Sequence, residues 1–272
     1  MDNLNDESSG NSNAKSENIS GHKEVFHQPD THFKPKRWKD YFLEFLMIFL
    51  AVTLGFIAEN FREYINDIAK EKQYIEGFIS NLKDDMANLS HVIEADRQQV
   101  KGLDSMLMLA HADMAIDSIR KSFYHYVITY CYNSSSFRSN DATLQQLKST
   151  GDYRLIRKNH VADSLAKYER DIHSIYKQGE YYEVYFKEIL SGLDELTDMT
   201  ILTDTTLLIK GNMMNKPLPQ LRGEDGKLTT FFNKIVIFKI ITNAYVKRYL
   251  EPQLENSKRL LVFLKDKYDI HD

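Results

Sequence analysis

The side chains that could do chemistry are few and scattered. His91 and Glu94 stand three residues apart, and Glu169 and His173 stand four apart. Helix bundles hold di-metal centres with a Glu-x-x-His motif that projects both groups from one helix face into the core. That motif is absent here, and His91-Val-Ile-Glu94 has the reverse order. Ile93 belongs to the apolar seam described below, so His91 and Glu94 flank the core and read as a solvated surface pair. Glu169 and His173 read as an ordinary i, i+4 pair. His22, His27 and His32 recur at steps of five, which does not gather three imidazoles on one helix face, and Pro29 interrupts the stretch. No G-x-S-x-G, P-loop, G-x-G-x-x-G or H-E-x-x-H motif occurs. Cys131 is the single cysteine, so neither an intramolecular disulfide nor a cysteine-rich zinc site can form. No metal or cofactor is expected.

Tyrosines are the remaining group of interest. Tyr124, Tyr126 and Tyr130 cluster in one stretch, and Tyr181, Tyr182 and Tyr185 in another. Tyr124, Tyr126, Tyr182 and Tyr185 could line a ligand cleft, since aromatic walls with hydroxyl tips suit small molecules. The plainer reading is a bundle core whose phenol groups reach the surface.

Any of these groups must be positioned by the stretch from residue 38 to residue 107. It opens with an apolar run, residues 41–58, whose one charge is Glu44. At about 1.5 Å per residue the run covers roughly 27 Å as a helix, close to a ~30 Å hydrocarbon core. Glu44 lies one turn from its start, within reach of headgroups. Trp38 and Tyr41 flank one end, and Phe61 and Tyr64 the other, as an interfacial aromatic belt requires. The competing reading is a buried core helix, because the uncharged part, from Phe45 to Ala58, is short. We expect a membrane anchor over residues 38–60, marked by Trp38, Tyr41, Glu44, Phe45 and Ala58. Lys23, Lys34, Lys36, Arg37 and Lys39 precede it, whereas only Arg62, Lys70 and Lys72 follow within a similar distance. This bias predicts a cytoplasmic N-terminus, an uncleaved signal-anchor and a domain beyond residue 58 in the periplasm or outside the cell.

Beyond the run, apolar residues recur at alternating steps of four and three: Phe61, Ile65, Ile68, Lys72, Ile75, Ile79, Leu82, Met86, Leu89, Ile93, Asp96, Val100, Leu103 and Leu107. That is a heptad stripe, with Lys72 and Asp96 as polar seam positions able to set register or oligomeric state. Gly77 and Gly102 are points where the helix could bend or end. A second helical stretch covers residues 115–132. Asp141 is placed to cap a short helix over 142–150, and Gly151 to stop it. Asn159 is a plausible N-cap for a second long helix, with Val161, Leu165, Tyr168, Ile172, Ile175, Gly179, Tyr182, Phe186, Ile189, Leu193 and Leu196 as its seam. Residues 61–197 thus form a long-helix hairpin. Residues 198–228, with Pro217, Pro219, Gly223 and Gly226, form an irregular loop. Residues 229–272 complete the bundle with two helices separated at Pro252. The fold class is all-α, an antiparallel helical bundle.

Composition agrees. The 272 residues carry 35 basic and 39 acidic side chains, so no basic nucleic-acid platform is present. Residues 1–37 are polar and aperiodic, a disordered cytoplasmic tail by composition. The run ending in Ala58-Glu-Asn-Phe-Arg62, together with Leu147-Lys-Ser-Thr-Gly-Asp-Tyr-Arg-Leu-Ile156, resembles a group of uncharacterised bacterial single-pass membrane-anchored helical proteins. The resemblance implies that topology and a helical domain of unknown function, and it carries no active-site residue across. The expectation is a non-enzymatic interaction or assembly module whose partners are the lipid bilayer and either another protein or a second copy. A ligand sensor signalling through the membrane helix is the first alternative, and an enzyme with no recognisable motif the second.

Overall fold

The computed structural model describes residues 37–132, 134–204, 217–222 and 225–271. The expectations placed on the tail, including His22, His27 and His32, lie outside these residues, as does the whole stretch 205–216. Among the described residues the elements are all helical. They are α1 (Trp38–Leu107), α2 (Asp117–Tyr126), α3 (Ala142–Ser149), α4 (Val161–Leu196), α5 (Asp225–Tyr245) and α6 (Glu251–Tyr268). Short 3-10 turns cover Asp152–Leu155 and Met199–Thr203, and π-helical turns cover Val127–Cys131 and Val246–Leu250.

The chain divides into two units at Ile57 and Ala58. In the first, Asp40 Oδ2 accepts the backbone N–H of Arg37 at 2.9 Å, which satisfies a donor that the start of α1 leaves free. Phe45 stacks on Phe49, and Trp38 on Phe42, one turn apart. The apolar window is long enough to cross a membrane, and none of it is buried.

In the second unit α1 buries one face through two heptad rows. Ile75, Leu82, Leu89, Asp96 and Leu103 form one row, and Glu71, Phe78, Asp85, Val92, Gln99 and Met106 form the other. The buried face begins later than the sequence stripe suggests. Phe61, Ile65 and Lys72 face outward, Ile65 at 48% exposure, and Glu71 is buried in place of Lys72. Hydrophobic periodicity marks which side of a helix is apolar, not where its neighbours end. Here the connection ahead of α4 and the end of α6 converge on Glu71: Arg157 N–H donates to its Oε1 at 3.0 Å, and Tyr268 Oη–H at 2.5 Å. Gly77 and Gly102 do not end α1, which continues to Leu107. Gly102 serves close packing instead, because a Cβ there would lie 2.3 Å from the Tyr130 ring.

The α4 seam follows the sequence pattern, with Leu165, Tyr168, Ile172, Tyr182, Ile189 and Leu193 buried and Phe186 half-buried. Its start differs. His160, not Asn159, occupies the N-cap position, with φ 64° and no side-chain cap. Asp141 likewise stands at the α3 N-cap without capping the backbone, and accepts instead from Gln145 Nε2 at 3.0 Å. Gly151 adopts φ 72°, the left-handed conformation expected of a helix-stopping glycine. Pro252 does not interrupt the C-terminal helices. It lies in the first turn of α6, where a missing N–H costs little, directly after the π-helical turn.

The core forms two large apolar clusters and a small one of Tyr124 with Leu218. One joins α1 from Ile75 to Ile93 with α3, with α4 from Val161 to Ile175, and with α6. The other joins Leu103 and Met106 with Phe123 of α2, with α4 from Tyr182 to Leu196, and with Phe231, Phe232, Ile235 and Phe238 of α5.

Candidate functional site

Between the two clusters lies a polar layer. On α1 the first cluster ends at Ile93 and the second begins at Leu103, and the buried residues between them include Asp96 and Gln99. On α5 the corresponding gap falls between Phe238 and Tyr245, where Thr242 is buried. Helical periodicity explains the placement. Asp96 is seven residues after Leu89 and seven before Leu103, so it inherits the core-facing direction of both leucines.

Asp96 is 1% exposed, and its Oδ2 has no hydrogen-bond partner among the described residues. Burial pushes the carboxyl up to about 7. Its charge bears on two phenols from neighbouring helices, Tyr182 of α4 and Tyr245 of α5, and both are raised by burial first and by Asp96 second. Tyr182 Oη–H donates to Gln99 Oε1 at 3.0 Å, and Gln99 Nε2 donates to the Tyr130 carbonyl at 2.9 Å. Tyr182 stacks on Tyr245 with ring centroids 5.8 Å apart. The layer therefore has a well-bonded amide and phenol beside an acid short of a donor.

A cavity of 320 Å³ opens on this layer. Asp96, Gln98, Gln99, Thr129, Tyr130 and Ser135 line it, with His91 and Ala95. Its wall brings the polar side chains of Gln98, Gln99, Thr129 and Ser135 together with the buried Asp96 and with Tyr130.

The residues singled out by spacing fare differently. His91 and Glu94 are both exposed; Glu94 accepts from Gln98 Nε2 at 2.6 Å, and His91 contributes only to the cavity wall. Glu169 pairs with Lys148, and His173 is exposed. Among the described residues no three His, Cys, Asp or Glu side chains are grouped to hold a metal. Cys131 is buried, 3.7 Å from Met106 Sδ, and burial pushes its thiol up to about 12, so it is a packing residue. The four tyrosines of the envisaged cleft do not meet. Tyr124 packs with Leu218, Tyr126 stacks on Tyr130, Tyr182 lies in the core, and Tyr185 is exposed. Trp38, Tyr41, Phe45 and Ala58 are exposed, as is Glu44.

Sequence reasoning located Asp96 as a polar seam position but missed Gln99, Thr129 and Ser135. Gln99 falls one step off the four-three stripe, on the second buried row. Thr129 and Ser135 lie in a π-helical turn and a connection without periodicity. Comparison with protein-family models, curated proteins and solved structures finds no significant match to this chain.

Proposed function

We propose that this chain is a single-pass membrane-anchored protein whose helical bundle lies outside the cytoplasm and acts, without catalysis, as an interaction or assembly module. One observation carries the reading: no residue of the apolar window at the start of α1 is buried, while the same helix builds the bundle core from Glu71 onward. Exposed apolar surface of that extent is stable in lipid and unfavourable in water. The basic bias ahead of the run supports a cytoplasmic N-terminus. Contacts of α4 with α5 support an antiparallel bundle, since Gly192 meets Phe231 while Gly179 lies against Tyr245, and Glu188 pairs with Lys234 between them. Outward-facing Tyr181 and Val184 on α4 and Ile237 and Ile240 on α5 supply surface for a protein partner or a second copy.

The test is topology. A reporter active only outside the cytoplasm, fused after Asp272, is expected to give signal, and a cytoplasm-only fluorescent reporter at the same place is expected to stay dark. The opposite result with the protein in the membrane fraction overturns the orientation, and a soluble protein overturns the anchor. A second reading, ligand sensing, is favoured by the unpartnered Asp96 carboxylate beside a cavity on the helix that also carries the apolar run.

A further inference from the structure

The polar layer presents an incomplete hydrogen-bonding set. Buried polar groups in folded proteins are almost always partnered, and a buried carboxylate without donors is costly. Among the described residues four buried side-chain atoms lack a partner, Tyr124 Oη, Tyr153 Oη, Gln253 Nε2 and Asp96 Oδ2; the last is the carboxylate among them, and it belongs to a residue in the wall of a cavity large enough for a small molecule. Ligand pockets start at roughly 300 Å³, so 320 Å³ suits a compact compound.

The wall decides the ligand's chemistry. Among the described residues that line the cavity none is lysine or arginine, so an anion would meet Asp96 without compensation. The groups facing Asp96 from neighbouring helices are the phenols of Tyr182 and Tyr245, with His91 on α1 and Tyr130 on the π-helical turn around the cavity. Gln99 is already engaged at both ends, accepting from Tyr182 and donating to Tyr130. The unmet need is a donor for Oδ2, and a positively charged donor gains most in a buried site, because it also neutralises the carboxylate.

We propose that this cavity binds a small primary ammonium compound, with the Asp96 carboxylate as its counter-ion. The inference deepens the sensing reading, yet binding depends neither on topology nor on any signal passed along α1. A primary ammonium supplies N–H donors; a quaternary one has the charge without them. Because burial holds part of the Asp96 population protonated near neutral pH, binding also expels a proton from that fraction.

The experiment is a calorimetric titration of the full chain in detergent micelles at pH 7 with ethylammonium chloride. Ethanol, tetramethylammonium chloride and sodium acetate serve as comparisons. A ligand of three heavy atoms is expected to saturate one site with Kd on the order of 1 mM. The three comparison compounds are expected to bind at least about tenfold more weakly. Repeating the titration in two buffers of different ionisation enthalpy is expected to reveal net proton release. Asp96→Asn is expected to weaken ethylammonium binding by about tenfold or more and to abolish that release. No saturable heat up to about 50 mM, equal binding of ethylammonium and tetramethylammonium, or unchanged affinity in Asp96→Asn would each overturn the proposal. If Asp96→Asn does not fold, the ranking of the four compounds and the proton release on the wild-type chain still decide. An inverted topology with intact ethylammonium binding would sink the proposed orientation alone, and a soluble protein with intact binding would sink the anchor alone.

Discussion

At the scale of single residues, α1 carries a regular set of buried polar groups. Glu71, Asp85 and Gln99 are spaced by two heptads, and each accepts a tyrosine hydroxyl: from Tyr268 at 2.5 Å, Tyr168 at 2.5 Å and Tyr182 at 3.0 Å. Each also holds a connection between helices. Glu71 accepts from Arg157 N–H, Asp85 accepts from Asn140 N–H at 2.6 Å and from Ser139, and Gln99 donates to the Tyr130 carbonyl. Burial raises the Asp85 carboxyl, and the hydrogen bonds from Ser139, Tyr168 and Asn140 work against that rise. Tyr168→Phe removes one donor from this buried carboxylate, and we expect a loss of about 1–3 kcal/mol in stability, read as a lower denaturant midpoint at unchanged slope. Asp96 behaves in the opposite sense because no donor supports it. Its carboxyl holds its proton in the folded state up to about 7, against 3.8 ordinarily. Between those values the folded chain binds more protons than the unfolded one, so stability is full below the lower value and is lost as pH rises through the upper one. Asp96→Asn keeps the shape without the charge. We expect it to be more stable than the wild type at pH 8 by about 2–4 kcal/mol, a gap that closes toward pH 4. Unfolding curves of the two proteins across that window check it, and a gap independent of pH would refute the assignment.

At the scale of elements, what the sequence makes legible is the direction each long helix faces, and what it hides is where neighbours stop and how close they come. The α4 seam is readable from Val161 to Leu196 because packing neighbours accompany it along nearly its whole length. The α1 stripe misleads before Glu71, where apolar residues continue the period without being buried. Ile237 and Ile240 show the same limit in α5: both are apolar and both face outward. The candidate site was half legible. Asp in a heptad row is visible, whereas Thr129 and Ser135 reach the cavity through a π-helical turn and an irregular connection, which no period announces. Glycines are the other case, since a sequence read alone treats them as weak points. Gly102→Ala tests the packing role. Alanine favours a helix interior by up to about 1 kcal/mol, yet a Cβ 2.3 Å from the Tyr130 ring forces that ring to move. We expect a net loss of about 1–3 kcal/mol, and displacement of Tyr130 would also disturb the carbonyl that accepts from Gln99. Tyr130→Ala should make the second substitution nearly harmless, so a double-mutant cycle shows strong coupling if the contact is the cause.

At the scale of the whole molecule, two kinds of apolar surface must be accounted for by different surroundings. The face of α1 from Glu71 onward is covered by protein, and polar groups in it such as Glu71 and Asp85, Asp96 apart, are answered by tyrosines and backbone amides. Among the described residues nothing covers the run from Tyr41 to Ala58 in this way: Phe45, Ile48, Leu50, Leu54 and Ile57 are all exposed, around the whole circumference of the helix. An amphipathic surface helix would show a polar side, and this one shows none, which supports the proposal that it lies in lipid. The consequence can be measured directly. A charge at the centre of a spanning helix costs about 2.5–3.5 kcal/mol on insertion, so Leu50→Arg with Leu54→Arg is expected to move the protein out of the membrane fraction. The same pair of substitutions leaves every residue of the two core clusters in place. Helical circular dichroism and the Asp96-dependent pH slope should therefore survive in whatever chain is recovered. Retention in the membrane despite both arginines would show that the run is not what holds the protein there. Loss of the helical signal together with membrane release would show that the bundle depends on the anchor, against the division of the chain at Ile57.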